Sequence, residues 1–182
     1  LDPALDWFRR RPLFGRRVLV TRPRHQAGEL ERALRDLGAN VVLQPAIEIT
    51  DPDDWQPVDR ALRRLADFDC LVFASTNGVQ RLLTRLFAIG LDLRALGSLR
   101  LAAIGPGTAD ALAGYQLRAD VVPEQEYRAE GLLSALRAQA RGQRFLLARA
   151  SRGRELLAEQ LRAAGAEVEQ IVVYRSVDVT QP

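Results

Sequence analysis

The sequence contains one pattern twice, as RVLVTRPRHQAGELERALRDLGANVVLQPAIEI at Arg17–Ile49 and RFLLARASRGRELLAEQLRAAGAEVEQIVVYRS at Arg144–Ser176. Each stretch has an apolar run, a helical period, a Gly-Ala pair and a second apolar run, which is typical of a β-α-β unit. The stretches align without a gap at a constant offset, with identities at Arg17/Arg144, Leu19/Leu146, Arg22/Arg149, Leu30/Leu157, Leu34/Leu161, Arg35/Arg162, Gly38/Gly165, Ala39/Ala166 and Val41/Val168. Any two β-α-β units share some Leu and Gly, but the shared arginines favour an internal duplication.

Strands and helices alternate along the rest of the chain. The first copy predicts a strand at Arg17–Thr21, a helix at Gln26–Leu37 and a strand at Asn40–Pro45. Later elements are predicted, in order, as a helix at Pro57–Ala66, a strand at Cys70–Ala74, a helix at Asn77–Ala88, a strand at Arg100–Ile104, a helix at Thr108–Gly114, a strand at Ala119–Val122, a helix at Ala129–Ala140, a strand from Arg144 and a strand at Ile171–Val177. This alternation predicts an α/β fold whose parallel sheet has helices on both faces. The last five strands suit one doubly wound domain, so the first β-α-β unit belongs to a second domain.

The composition excludes several classes of chemistry. All 26 basic residues are Arg, which excludes a lysine Schiff base and favours carboxylate or phosphate ligands. One cysteine, Cys70, and one histidine, His25, cannot build a disulfide framework or a Cys/His zinc site, and neither is assigned a catalytic role. The formal charge of +3 does not imply a nucleic-acid-binding surface. These features indicate a protein of a reducing cytoplasm.

Arginines follow the first strand of both copies, at Arg22 and at Arg149 and Arg152. Ligands of parallel sheets bind beyond the carboxyl ends of the strands, where the helix N-termini also lie. Because a helix N-terminus disfavours cations unless an anion is bound, the arginines predict an acidic ligand. Pairing with Glu29 and Glu155 is the structural alternative.

Hydroxyl side chains follow the strand that begins at Cys70, in the segment Ser75-Thr76-Asn77. They can face the cleft together with the free amides of the next helix. Capping of that helix by Ser75 or Thr76 explains the same residue types.

A glycine turn, Gly105-Pro106-Gly107-Thr108, follows the strand that begins at Arg100. Two glycines let a ligand approach the backbone, and Thr108 can cap the following helix or reach the ligand. The segment is not a dinucleotide fingerprint, and without lysine it cannot be a phosphate-binding loop of the Walker type. Turn formation alone is the alternative.

Tyr174 lies near the end of the final predicted strand. A phenol at this edge can donate a proton or a hydrogen bond to a ligand, although a tyrosine in a strand is more often a packing residue.

Taken in order, these motifs resemble those of uroporphyrinogen-III synthase. The matching segments, which span about Phe14 to Val177, are RVLVTRP, PAIEI, VFASTNGV, AAIGPGTADAL, FLLARASRGRELLAEQLRAAGAEV and IVVYRSV. The preceding LDWFRRRPLFGRR resembles the junction at which this synthase follows a fused uroporphyrinogen-III methyltransferase. With no Met in the chain, we therefore expect a piece of a longer polypeptide with that fused partner.

The resemblance implies two doubly wound, flavodoxin-like α/β domains joined by a two-stranded connector. Residues 1–14 would be a linker with a short helical stretch, 15–45 the opening of the first domain, 46–177 the connector with the second domain, and 178–182 the return connector. The family continues for about half a domain beyond Val177, so we expect the first domain to be incomplete in this chain and the piece itself to be inactive.

The family's reaction is the cyclisation of hydroxymethylbilane to uroporphyrinogen III, with loss of water and inversion of the last pyrrole ring, in haem, sirohaem and cobalamin biosynthesis. The resemblance implies that the reaction uses no metal or cofactor. It also implies a cytoplasmic protein whose partners include neither nucleic acid nor a membrane. Tyr174 matches the family tyrosine proposed to assist hydroxyl departure. The implied substrate-binding residues are Thr21, Arg22, Ser75, Thr76, Asn77, Gly105, Pro106, Gly107, Thr108, Arg149, Ser151 and Arg152.

Two other functions compete with the synthase. One is a non-catalytic synthase-like module that binds an acidic tetrapyrrole without turnover. The other is a nucleic-acid or nucleotide binder driven by the arginines, which the lack of interleaved aromatic and basic residues disfavours.

Overall fold

The structure, a computed structural model, describes residues 6–97 and 99–179. These residues fall into two compact units, one of residues 6–50 with 176–179 and one of Asp51–Arg175. The two units meet along the chain at Thr50/Asp51 and at Arg175/Ser176. Within the described ranges, no helix is long and apolar enough to cross a membrane.

The first unit is built around a two-stranded parallel ribbon. Its elements are α1 (Asp6–Arg9), β1 (Arg17–Val20), α2 (Arg24–Asp36), β2 (Asn40–Leu43) and β3 (Ile47–Thr50). β1 pairs with β2 in parallel, and Val20, Ala27 and Val41 are buried between the ribbon and α2. β3 is hydrogen-bonded to the end of the last strand, where the Val179 amide donates to the Ala46 carbonyl at 3.0 Å.

The second unit is a parallel sheet between helical layers. Its elements are α3 (Gln56–Leu62), β4 (Cys70–Phe73), α4 (Thr76–Ala88), β5 (Arg100–Ala103), α5 (Pro106–Ala113), α6 (Ala129–Arg137), β6 (Arg144–Ala150), α7 (Leu156–Ala163) and β7 (Glu167–Asp178), whose last residues belong to the first unit. The strand order is β7-β6-β4-β5, with parallel pairing throughout. All four residues of β4 are buried, as expected for a central strand with helices on both faces.

Two helical layers cover this sheet. On one face, α6 and α7 contribute Leu132, Leu136 and Leu161 to a cluster with Val72 and Phe145. On the other, α4 buries the apolar positions Val79, Leu82, Leu83 and Leu86. The predicted parallel α/β architecture is therefore confirmed.

The predicted strand at Ala119–Val122 is wrong, because only a single bridge joins Val121 to Ala102. The Asp120 carboxylate accepts from the Leu101 amide at 2.7 Å and so takes a donor of the β5 edge. Pro123 then follows with no amide to donate, so the ladder cannot continue. Of the five strands predicted for this domain, four consequently form and the fifth is an isolated bridge.

Several predicted helices differ at their ends. The helix expected from Thr108 begins at Pro106, and the helix expected to reach Ala140 ends at Arg137. The helix predicted to Ala66 ends at Leu62 and is followed by a 3₁₀ turn at Leu65–Asp67.

The predicted repeat of the β-α-β unit is confirmed in the strand register. Arg17 pairs with Asn40, and Arg144 pairs with Glu167, which are equivalent positions of the two copies. The helix-ending glycines Gly38 and Gly165 have φ of 92° and 91°, a left-handed conformation that favours glycine. Numbered in chain order, the strands with the Val121 bridge read 5-4-1-2-3 across the sheet, which is a circular permutation of the flavodoxin-like order 2-1-3-4-5.

Candidate active site

A cavity of about 360 Å³ opens at the carboxyl edge of the second unit's sheet. The chain passes from β4 to β5 on one side and from β6 to β7 on the other, so the crevice lies where these connections diverge. The strands contribute Val72, Leu147, Arg149, Ala150, Gln170 and Tyr174, and the loops and helices contribute Ala74, Ile104, Tyr127, Arg128, Ala129, Arg152, Gly153, Arg154, Leu157 and Ala158.

The charged residues of the cavity wall are all arginines. Arg128, Arg149, Arg152 and Arg154 line it, and none of the described lining residues is Asp or Glu. Guanidinium groups bind carboxylates in paired hydrogen bonds, so the wall suits an acidic ligand.

Arg149 is the most constrained of these arginines, with a side chain only 15% exposed. Its Nε donates to the Ala150 carbonyl at 3.1 Å, Nη2 donates to the Gly153 carbonyl at 3.3 Å, and Nη1 donates to Gln170 Oε1 at 2.8 Å. Nη1 also donates to the carboxylate of Glu155. The predicted alternative of a pair with Glu155 is thus present in the structure.

Glu155 lies directly before α7, with a side chain 47% exposed. Its second oxygen accepts from Gln170 Nε2 at 2.6 Å. The hydrogen bond from Arg149 and then that from Gln170 hold the pKa of Glu155 below its ordinary value. The group is therefore a carboxylate near neutral pH.

A second pair joins Arg154, in the loop after β6, to Glu130 at the start of α6, at 2.7 Å. It is more exposed, with 65% of the Arg154 side chain open to solvent. The pKa of Glu130 is lowered by its own backbone amide and next by Arg154.

A β-bulge places Tyr174 beside the cavity. Arg149 pairs with Val172, but Ala150 pairs with Tyr174, so β7 carries one extra residue at this point. Val173 and Tyr174 are in consequence both buried. Bulges re-aim side chains next to functional sites. Tyr174 is packed, at 8% exposed, and its hydroxyl is also hydrogen-bonded, to Ser75 Oγ at 3.0 Å.

Ser75 has two contacts at the start of α4. It is the N-cap, and its Oγ accepts from the Gly78 amide at 3.0 Å as well as meeting Tyr174. Thr76 is the first helical residue, and its hydroxyl donates to the Gly107 carbonyl at 3.3 Å. The predicted hydroxyl segment and glycine turn are therefore neighbours at the same edge. Asn77 lies in the first turn of α4.

Of the two alternatives for Thr108, to cap α5 or to reach the ligand, the first is wrong. Gly105 is the N-cap and Pro106 the first helical residue, so Thr108 already lies inside the helix, 5% exposed. It is not among the residues that line the cavity. Gly105 is needed for a different reason, since a Cβ there would lie 2.9 Å from Cβ of Tyr127.

Thr21 and Arg22 lie in the first unit, and both are exposed. The Thr21 carbonyl accepts from the Ala46 amide at 3.0 Å. No ion pair joins Arg22 to Glu29 within the described part of the chain. Substrate binding by Thr21 and Arg22, as by the exposed Ser151, stays a prediction.

The single histidine and the single cysteine lie apart from the residues that line the cavity. His25 is an exposed residue at the start of α2. Cys70 is fully buried in β4, where burial raises the pKa of its thiol to about 12 and keeps it protonated.

Sequence reasoning missed Tyr127, Arg128, Gln170 and the Arg154–Glu130 pair. Tyr127 is an aromatic residue 54% exposed at the cavity wall, directly after Glu126, whose φ is 57°. Gln170 follows Glu169 in β7, whose sequence is EVEQIVVYRSVD, so residue type alone gave no signal for it.

The family model of uroporphyrinogen-III synthase HemD matches residues 28–182. A uroporphyrinogen-III synthase of Synechococcus elongatus is 36% identical over 166 residues, 91% of this chain and 62% of that protein. One from Chlorobaculum parvum is 30% identical over 161 residues, 88% of this chain and 63% of that protein.

Solved structures share the fold. A mutant uroporphyrinogen III synthase from Thermus thermophilus superposes with a TM-score of 0.68 at 21% identity, over 91% of this chain and 64% of that chain. The chain therefore spans somewhat less than two thirds of the length of these relatives.

Proposed function

The chain belongs to the uroporphyrinogen-III synthase family, and from this premise we propose that, extended to the length of its relatives, it cyclises hydroxymethylbilane to uroporphyrinogen III. The reaction loses water and inverts the last pyrrole ring. The arginine wall of the cavity supports the proposal most directly, because the substrate carries eight carboxylates.

Tyr174 is the residue we propose to assist departure of the hydroxyl. That departure as water requires a proton, and loss of the pyrrole N–H proton then leaves an electrophilic azafulvene. Ser75 Oγ accepts from the Gly78 amide, so its own proton can donate to Tyr174 and leave the phenol proton for the ligand. In this arrangement Tyr174 donates a hydrogen bond to the leaving oxygen.

Binding geometry carries the rest of the proposed reaction. The azafulvene must be attacked by the last ring through a spiro intermediate rather than by simple closure, which requires the linear tetrapyrrole to be held folded. Arg149 and Arg152 line one side of the cavity and would bind substituent carboxylates. Ser75, Thr76 and Asn77 bring the amide end of α4 to the same edge, where negative charge is favoured.

Turnover and binding should be measured on the same preparations, of this chain and of a version extended to the length of its relatives. We expect the extended protein to consume hydroxymethylbilane faster than the spontaneous reaction and also to bind uroporphyrin, the oxidised product. Binding without turnover would favour the non-catalytic tetrapyrrole module. Absence of both would contradict the proposal.

A further inference from the structure

Arg149 keeps its position without help from Glu155. The carbonyls of Ala150 and Gly153 and the Gln170 side chain each accept one of its hydrogen bonds. Because the side chain is only 15% exposed and lies against these oxygens, the guanidinium has a fixed direction at the cavity wall. A site whose donors are already oriented loses little entropy when a ligand binds.

Glu155 is held much less firmly. Within the described residues, its carboxylate is hydrogen-bonded to Arg149 and Gln170 alone, and nearly half of the side chain is exposed. Rotation into solvent would restore hydration of the carboxylate and would break no other hydrogen bond of that group. Exposed ion pairs of this type contribute only about 0.2–1 kcal/mol.

Together, Arg149 and Gln170 present two donors to the two oxygens of one carboxylate. Both donors line the cavity, whereas Glu155 is not among the lining residues. A carboxylate that enters from the cavity can therefore reach the same two donors.

The duplication shows that this arrangement is not required by the β-α-β unit. In the ungapped alignment of the two copies, Arg22 corresponds to Arg149, but Gly28 stands in place of Glu155 and Leu43 in place of Gln170. The first copy keeps its strand, helix and register without the glutamate and the glutamine. The cluster of Arg149, Glu155 and Gln170 is thus a feature of the cavity and is not needed to form the β-α-β unit.

We propose that Arg149 and Gln170 form a carboxylate-binding subsite of the cavity, which Glu155 occupies until a carboxylate of the ligand displaces it. The inference deepens the proposed function and rests on it for the identity of the ligand as a polycarboxylate tetrapyrrole. Glu155 then acts as an internal competitor that lowers the affinity of any ligand whose carboxylate must displace it from the subsite.

The test uses Glu155→Gln, which keeps the size of the side chain and removes its charge, with uroporphyrin as the probe. We expect the dissociation constant, measured by porphyrin fluorescence, to fall about 1.5- to 5-fold, because an exposed ion pair no longer competes. Glu130→Gln is the matched control, since it removes the same charge beside the same cavity from the pair with Arg154. It should produce less than half of that change.

The double variant Arg149→Gln/Glu155→Gln should not show the increased affinity for uroporphyrin that we expect of Glu155→Gln alone. Unchanged or weaker binding by Glu155→Gln would overturn the proposal, since a positioning role for Glu155 predicts weaker binding. An equal gain from Glu130→Gln, or a gain that persists in the double variant, would also overturn it.

A second probe separates the subsite from the proposed function. Citrate, a small tricarboxylate, can be titrated against the Nε–H nuclear magnetic resonance signal of Arg149 in the unchanged chain and in Glu155→Gln. If uroporphyrin binds to no variant but citrate shifts this signal at lower concentration in Glu155→Gln, the subsite stands and the tetrapyrrole function fails. If neither probe binds, the subsite is overturned as well.

Discussion

Ser75 Oγ and the Tyr174 hydroxyl lie 3.0 Å apart and join the N-terminus of α4 to the bulged end of β7. One atom, Ser75 Oγ, thus takes part both in capping a helix and in orienting the phenol that we place at the reacting end of the substrate. The pair therefore contributes both to the stability of the fold and to the proposed reaction. Replacing Tyr174 should affect turnover, whereas replacing Ser75 should affect the free energy of unfolding.

Replacement of Tyr174 by Phe should affect turnover more than binding. The ring packing is kept, and one hydrogen bond worth about 1.4 kcal/mol to the leaving oxygen is lost, which corresponds to about tenfold in kcat. The measurement is single-turnover kinetics beside uroporphyrin binding, with Tyr115→Phe as the control because Tyr115 packs against Phe87 instead. An unchanged kcat would remove the proposed role of Tyr174.

Replacement of Ser75 by Ala should lower the free energy of unfolding by about 1–2 kcal/mol, since it removes the cap of α4 and the bond to Tyr174. Urea denaturation measures the change, and the exposed Ser151→Ala should stay within about 0.5 kcal/mol of the unchanged chain. A double-mutant cycle with Tyr174→Phe isolates the coupling of the pair. Strictly additive effects would show that the contact between the two hydroxyls contributes nothing to stability.

Glycine is required at position 131 by a close backbone approach. A Cβ on Gly131 would lie 2.0 Å from the Glu126 carbonyl oxygen, so Gly131→Ala must shift the loop that carries Tyr127 or the start of α6. We expect a loss of about 2–4 kcal/mol in thermal or urea unfolding. Gly107→Ala, where a Cβ meets nothing within 4 Å, is the control and should not destabilise the unit. Equal effects of the two variants would contradict this assignment.

The Asp59–Arg85 pair gives stability a defined dependence on pH. Two hydrogen bonds of 2.6 Å join the groups, and that from Arg85 is the main cause of a lowered pKa of Asp59. The unfolded state then binds a proton more readily, so this contribution is complete above the ordinary pKa of 3.8 and is lost as pH falls through the lower folded value.

The Asp59→Asn variant should therefore be less stable to urea than the unchanged chain at neutral pH, with a difference that shrinks below pH 3.8. Asp53→Asn is a suitable control, because the Asp53 side chain in its pair with Arg175 is 80% exposed. If the difference in stability to urea between the unchanged chain and Asp59→Asn stays constant from neutral pH to below pH 3.8, protonation of Asp59 does not control this contribution to stability.

Local pattern was sufficient for most of the fold. The Gly-Ala pairs and the apolar runs predicted the duplicated unit, and the structure reproduces it down to the register of Arg17 with Asn40 and Arg144 with Glu167. The failure at Val121 arose from a tertiary contact, because an apolar run predicts a strand but does not show that Asp120 occupies the edge of β5.

The candidate site was less accessible to sequence reasoning. Residues directly after strands, such as Arg149 and Ser75, could be placed at the carboxyl edge because parallel topology dictates it. Tyr127 and Arg128 reach the cavity from a long connection, through the left-handed Glu126, which no periodic pattern indicates. The sequence offered Glu155 as an alternative partner of Arg149. That Glu155 also contacts Gln170 depends on how β6 and β7 pair, which the sequence does not show.

The most direct measurement of the central claim is the isomer composition of the product. Freshly generated hydroxymethylbilane is given to this chain and to the version extended to the length of its relatives, and the porphyrins are oxidised and separated. The account predicts type III isomer from the extended protein, since only an enzyme that holds the chain folded inverts the last ring. Type I alone, the product of simple closure, from both proteins would contradict it.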